Sequence, residues 1–97
     1  MKTMTSDEWK QEAEERFGTD KSKWSFICPN CGHVQSIGDF GNDSEAAFQE
    51  CIGRRNPSAG CKWVSYGFMG TAGKGIEIIF PDGHTAEVFD FAPITEN

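Results

Sequence analysis

Cys28-Pro29-Asn30-Cys31-Gly32-His33 decides how the rest of the chain is read. Two residues between the thiols let both sulfurs face one ion about 2.3 Å away, and the following glycine relieves a tight turn whose N–H groups point at sulfur. The other two cysteines, Cys51 and Cys61, follow after gaps of nineteen and nine residues, a spacing that does not by itself force them together. Three readings compete for the set: a structural zinc site with Cys28, Cys31, Cys51 and Cys61 as ligands, disulfides, or a redox or iron site. A reducing compartment keeps thiols free and zinc suits tetrahedral sulfur, so structural Zn²⁺ is expected. His33 or His84 replacing one thiol is the open variant. Against it, His33 sits two residues past Cys31 and His84 in a distant turn, which suits His33 better as a neighbouring donor or surface residue. Four thiolates around a divalent ion leave a net charge of about −2 at the site.

With 97 residues, the chain is expected to form one zinc-stabilised domain over residues 1–97. So short a chain barely offsets its conformational entropy, whereas structural zinc in finger peptides contributes an apparent ~10–16 kcal/mol near neutral pH. Hydrophobic residues make up 37% and charged residues 25%, which leaves no room for a membrane span. No apolar run follows Met1-Lys2-Thr3-Met4-Thr5-Ser6-Asp7, so a cytoplasmic location is expected. Nine Lys plus Arg against fifteen Asp plus Glu give a net charge of −6, the wrong sign for collecting around nucleic-acid phosphates. After Lys74 there is no Lys or Arg, while Glu77, Asp82, Glu87, Asp90 and Glu96 are all acidic.

The predicted fold class is α+β: an N-terminal amphipathic helix, a zinc-knuckle region with a possible second helix, and a C-terminal antiparallel β-hairpin or sheet. Thr5 and Glu8 read as a capping box opening a helix from about Ser6 to Phe17, and Gly18 ends it. Trp9, Ala13 and Phe17 form its apolar stripe, and Glu12 to Arg16 an i,i+4 pair on another side. A short strand over 24–27 enters the knuckle and a second resumes at 34–37. Residues 44–50 suit a short helix capped by Asp43 or Ser44, with strand as the alternative. Residues 54–60 form a polar loop, 61–66 a strand, and the four glycines in 67–75 a turn. Pro81-Asp82-Gly83 between Ile76–Phe80 and Thr85–Phe91 is a hairpin turn, because proline presets the first corner and glycine accepts positive φ.

Catalytic patterns fail on their own terms, so no enzyme is expected. A catalytic zinc keeps an open position that four thiolates close. The zinc-deaminase pattern needs His-x-Glu, and His33-Val34-Gln35 lacks the glutamate. A phosphate loop ending at Lys74 would need glycine where Phe68 stands.

Glu8-Trp9 through Arg16-Phe17-Gly18, then Trp24-Ser25-Phe26-Ile27-Cys28-Pro29-Asn30-Cys31-Gly32-His33, then Cys51-Ile52-Gly53-Arg54, resemble a family of small phage and prophage proteins. Within that family the chain looks like a zinc-bearing anti-CRISPR protein. The resemblance implies a phage-encoded, non-enzymatic inhibitor that acts in the cytoplasm of the bacterial host. Its partner would be a type II CRISPR effector nuclease, and it would block target-DNA loading. An acidic domain pinned by zinc suits that role, because the effector holds nucleic acid in a basic channel. The residues expected to meet the partner are Glu77, Asp82, Glu87 and Asp90 with Phe80 and Phe89, although strand alternation commits one aromatic set to the core. The competing expectation is a zinc-ribbon adaptor for nucleic acid or the transcription machinery, reading through Arg54, Arg55 and Lys62. A third is a phage accessory protein.

Overall fold

The computed structural model describes residues 2–41, 43–56, 58–67 and 70–93. Parts of the expected loop at 54–60 and turn at 67–75, together with Glu96, lie outside them.

Strand β1 (Lys2–Thr5) runs directly into helix α1 (Ser6–Phe17). The predicted capping box is present: the Glu8 N–H donates to Thr5 Oγ1 at 3.2 Å, and the Thr5 N–H donates to Glu8 Oε1 at 2.9 Å. The Gly18 N–H closes the last turn on the Glu14 carbonyl. Trp9 and Ala13 are buried and Phe17 is half-buried, as the stripe requires, and Arg16 pairs with Glu12 at 3.1 Å. The strand character of residues 2–5 was not anticipated, since the segment is short, has Met4 as its one apolar residue and acquires its shape from a distant partner.

That partner is β4 (Ile76–Ile79), which runs parallel to β1 and antiparallel to β5 (Thr85–Val88), giving a sheet in the order β1-β4-β5. Ile76 and Ile78 are buried while Glu77 and Ile79 alternate outward. The hairpin forms as predicted, with the Phe80 N–H on the His84 carbonyl at 2.8 Å and Gly83 at φ 90°. Its second strand stops at Val88 rather than continuing to Phe91. Phe89 is turned into the core with no exposed surface, its N–H bonds the Phe48 carbonyl, and the chain changes sheet. The second sheet, in the order β3-β2-β6, is antiparallel and contains β2 (Ser25–Ile27), β3 (Val34–Ser36) and β6 (Asp90–Phe91).

Between the sheets lies an aromatic cluster. Trp9 stacks on Phe26 at 5.9 Å, Phe26 stacks on Phe91 at 5.6 Å, and Trp9 meets Phe48 edge-on at 5.1 Å. Such pairs contribute about 0.5–1.5 kcal/mol each beyond their buried area. The remaining segments are 3-10 turns at Lys21–Lys23, Ile37–Phe40, Ser44–Phe48 and Ile52–Arg54. The expected second helix is therefore a single 3-10 turn, for which Asp43 supplies no side-chain cap. The expected strand at 61–66 reduces to one bridge, Glu50 with Val64.

Candidate metal centre

The knuckle closes locally. Cys28 follows β2 directly, its N–H bonds the His33 carbonyl, and the Gly32 N–H returns to the Cys28 carbonyl, both at 3.0 Å. These two bonds fold residues 28–33 so that Cys28 and Cys31 present their sulfurs to the same side.

The second pair depends on contacts that the spacing does not announce. The Cys51 N–H bonds the Trp63 carbonyl at 2.9 Å and the Ser65 N–H bonds the Gln49 carbonyl at 2.7 Å, so a short antiparallel ladder lays residues 49–51 beside 63–65. Gly53 passes so close to Gly60 and Cys61 that a Cβ there would stand 2.0 Å from the Cys61 carbonyl oxygen. A Cβ at Gly60 would stand 2.7 Å from Cys51 Sγ. Only glycine allows the two backbone segments to approach this closely.

Gln35 ties the pairs together and was not singled out from the sequence. Its side chain is 1% exposed, and its Nε2 donates to the Ala47 and Glu50 carbonyls at 2.7 and 2.6 Å. Its Oε1 accepts from the Ile52 N–H at 2.9 Å. One amide on β3 thus holds both sides of Cys51, and the strand alternation is inverted to achieve it, with Val34 49% exposed.

As a result, the Sγ atoms of Cys28, Cys31, Cys51 and Cys61 all lie within 4.8 Å of one another. The Cys28–Cys61 and Cys31–Cys51 sulfurs are 3.6 and 3.7 Å apart. A disulfide needs about 2.05 Å, and the edge of a tetrahedron with 2.3 Å arms is about 3.8 Å. All four cysteines are free thiols, so the donor set fits a metal ion. Among the described residues no other group of three or more His, Cys, Asp or Glu converges in this way, and neither His33 nor His84 joins the set. His84 pairs instead with Asp82 across the hairpin turn, 2.6 Å away.

The thiols are not equivalent. Burial pushes Cys28 up to about 12 and also raises Cys51. Burial acts the same way on Cys61, but hydrogen bonds from the Asn30 side chain, the Trp63 N–H and the neighbouring thiols outweigh it and bring Cys61 down to about 6.

A family model matches residues 5–92, a span that includes all four cysteines, Gln35 and the hairpin. The chain belongs to the VVA0879-like family. No curated protein and no solved structure matches it. The knuckle and the C-terminal hairpin both lie within the one span that the VVA0879-like model matches.

The residues expected to meet a partner do not form one surface. Phe89 is corrected outright: it is fully buried, because the chain turns inward there to cross between sheets, whereas Phe80 is 39% exposed. Glu87 is half-buried and accepts from both the Thr71 N–H and the Thr71 hydroxyl. Glu77 stands opposite it on β4. Asp90 lies in the other sheet and accepts from the Phe91 N–H. Asp82 is exposed at the hairpin tip, its carboxyl held below the ordinary value by the His84 N–H. The expected basic cluster is also engaged internally. Arg54 reaches Glu50 and the Lys62 carbonyl, while Arg55 pairs with Asp43 and lies 5.1 Å over Phe40. No helix among the described residues is long and apolar enough to cross a membrane.

Proposed function

We propose that the chain is a non-enzymatic binding domain, rigidified by a structural Zn²⁺ on Cys28, Cys31, Cys51 and Cys61, that docks on a basic surface of another protein. The observation that carries this reading is the convergence of four sulfurs. Four thiolates complete a tetrahedral zinc shell and leave no position for water or substrate. The net charge of −6 supports a basic partner, and the internal pairing of Arg54 and Arg55 disfavours phosphate binding. The more specific form of the reading, a phage inhibitor that keeps target DNA from a type II CRISPR effector nuclease, rests on the sequence resemblance. The basic channel of such an effector has the complementary charge.

Elemental assay of natively purified protein should find one zinc per chain. The zinc-loaded protein should co-elute with an effector–guide complex and abolish its DNA binding. Absence of metal would end the structural-zinc reading, and absence of both co-elution and inhibition would end the inhibitor reading. Retardation of DNA with a steep salt slope, lost in Arg54→Glu/Arg55→Glu, would replace it with the adaptor reading.

A further inference from the structure

A groove of about 590 Å³ opens where the start of α1 meets the first sheet and the Ser44–Phe48 turn. Its floor is apolar: Trp9, Phe48, Ile78 and Val88, with the partly exposed Phe80 at one end. Of the charged side chains that line it, Asp7 and Glu45 are acidic and Lys10 is basic, and both carboxylates are exposed. Trp9 is 7% exposed, and its indole N–H has no hydrogen-bond partner among the described residues. The groove near the hairpin's other strand, lined by Gln49, Ser65 and Glu87, is as polar as it is apolar and has no comparable floor.

We propose that this groove is the docking site for a segment of a partner protein that carries a large apolar side chain beside a lysine or arginine. The volume accommodates one or two large side chains, and an apolar floor with a few polar groups at its margin is the usual composition of a recognition pocket. The charge complementarity selects the occupant. Two carboxylates against one ammonium at the rim, on a chain of net charge −6, favour a cationic neighbour over an anionic one. The aromatic side chains of the floor supply the anchoring contacts that dominate such interfaces. The inference rests on the proposed docking to a basic protein surface and assigns it a face on the side of the molecule built by α1 and β4, in place of the scattered acidic residues of the C-terminal segment.

The test uses the full zinc-loaded chain and two fluorescein-labelled peptides, one alternating leucine with lysine and the other alternating leucine with glutamate. The lysine peptide should bind, shift the Trp9 indole ¹⁵N–H resonance, and lose affinity about tenfold or more in Phe80→Asp and in Asp7→Lys/Glu45→Lys. Glu14→Lys/Glu15→Lys, which changes the net charge equally on exposed positions of α1, should retain most of the affinity. Melting temperature and metal content establish that each variant is folded. Equal binding of both peptides, or equal loss in the control, overturns the proposal. So does a dimer of the wild type that Phe80→Asp dissociates, since the groove then belongs to a second copy. If the groove variants still capture the effector–guide complex as strongly as wild type, the groove assignment fails while the functional reading stands. If the lysine peptide binds through the groove but the complex is never captured, the groove stands and that partner is wrong.

Discussion

From β1 through α1, and again from β4 to β5, the backbone satisfies its own hydrogen bonds in regular elements, with a capping box, a helix stop and a tight hairpin turn. The described residues between 37 and 65 contain only 3-10 turns and one isolated bridge, held by Gln35, close glycine contacts and the approach of Cys51 and Cys61 to Cys28 and Cys31. The first region is stabilised by area removed from water, spread over many side chains. The second concentrates its stabilisation at one point. Damage should therefore be graded in the first region and nearly all-or-none in the second.

The sharpest test of that contrast is Cys51→Ser. It should abolish zinc binding and forfeit most of the roughly 10–16 kcal/mol that such a site contributes, so that the whole domain melts far below wild type. An unchanged melting curve would make the metal incidental. Phe26→Ala, in the aromatic cluster, should cost about 4 kcal/mol in chemical denaturation yet leave one zinc per chain. Loss of metal as well would show that the two regions are not separable.

Gln35→Leu strands two carbonyls and one N–H in a buried site, at a cost of about 3 kcal/mol. It should also weaken zinc affinity about 10–100-fold, read by competition with a chromogenic chelator, because the residue positions Cys51 without touching the ion. Cys28 and Cys51 are raised above the ordinary thiol value of 9.0, so both are protonated in the metal-free protein near neutrality and the ion must displace both protons. From these two protons alone, affinity should fall at least ~100-fold for each unit the pH drops. The slope should steepen below about pH 6, where Cys61, held as thiolate by its lowered value, takes up a further proton. The smallest effect belongs to Thr5→Ala, which removes the helix cap for about 1 kcal/mol in thermal melting with metal affinity untouched.

The two regions were also unequally legible in the sequence. Helix α1 and the hairpin rest on local rules, namely a hydroxyl three residues before a carboxylate, an i,i+4 stripe, and proline and glycine at a corner. The knuckle was legible for the same reason, since its spacing is local. Gln35 was not, because it sits inward on a strand where alternation would bury Val34, and its three partners lie 12 to 17 residues ahead. Strand β1 was missed because Lys2-Thr3-Met4-Thr5 becomes a strand only beside β4, more than seventy positions away in the chain. Phe89 and Phe91 both follow a strand pattern, yet the register breaks between them as the backbone leaves one sheet for the other.

Strand β2, which leads into the first two thiols, is flanked by β3 on one side and by β6 on the other. Roughly 60 residues separate β2 from β6, and a ribosome adding about 5–20 residues per second needs several seconds to cover them. Throughout that interval β2 has an open edge on the side that β6 will cover, while Cys51, Cys61 and then β6 arrive in turn. β6 is thus the last strand of this sheet to be synthesised, and it closes the free edge of the strand that leads into Cys28.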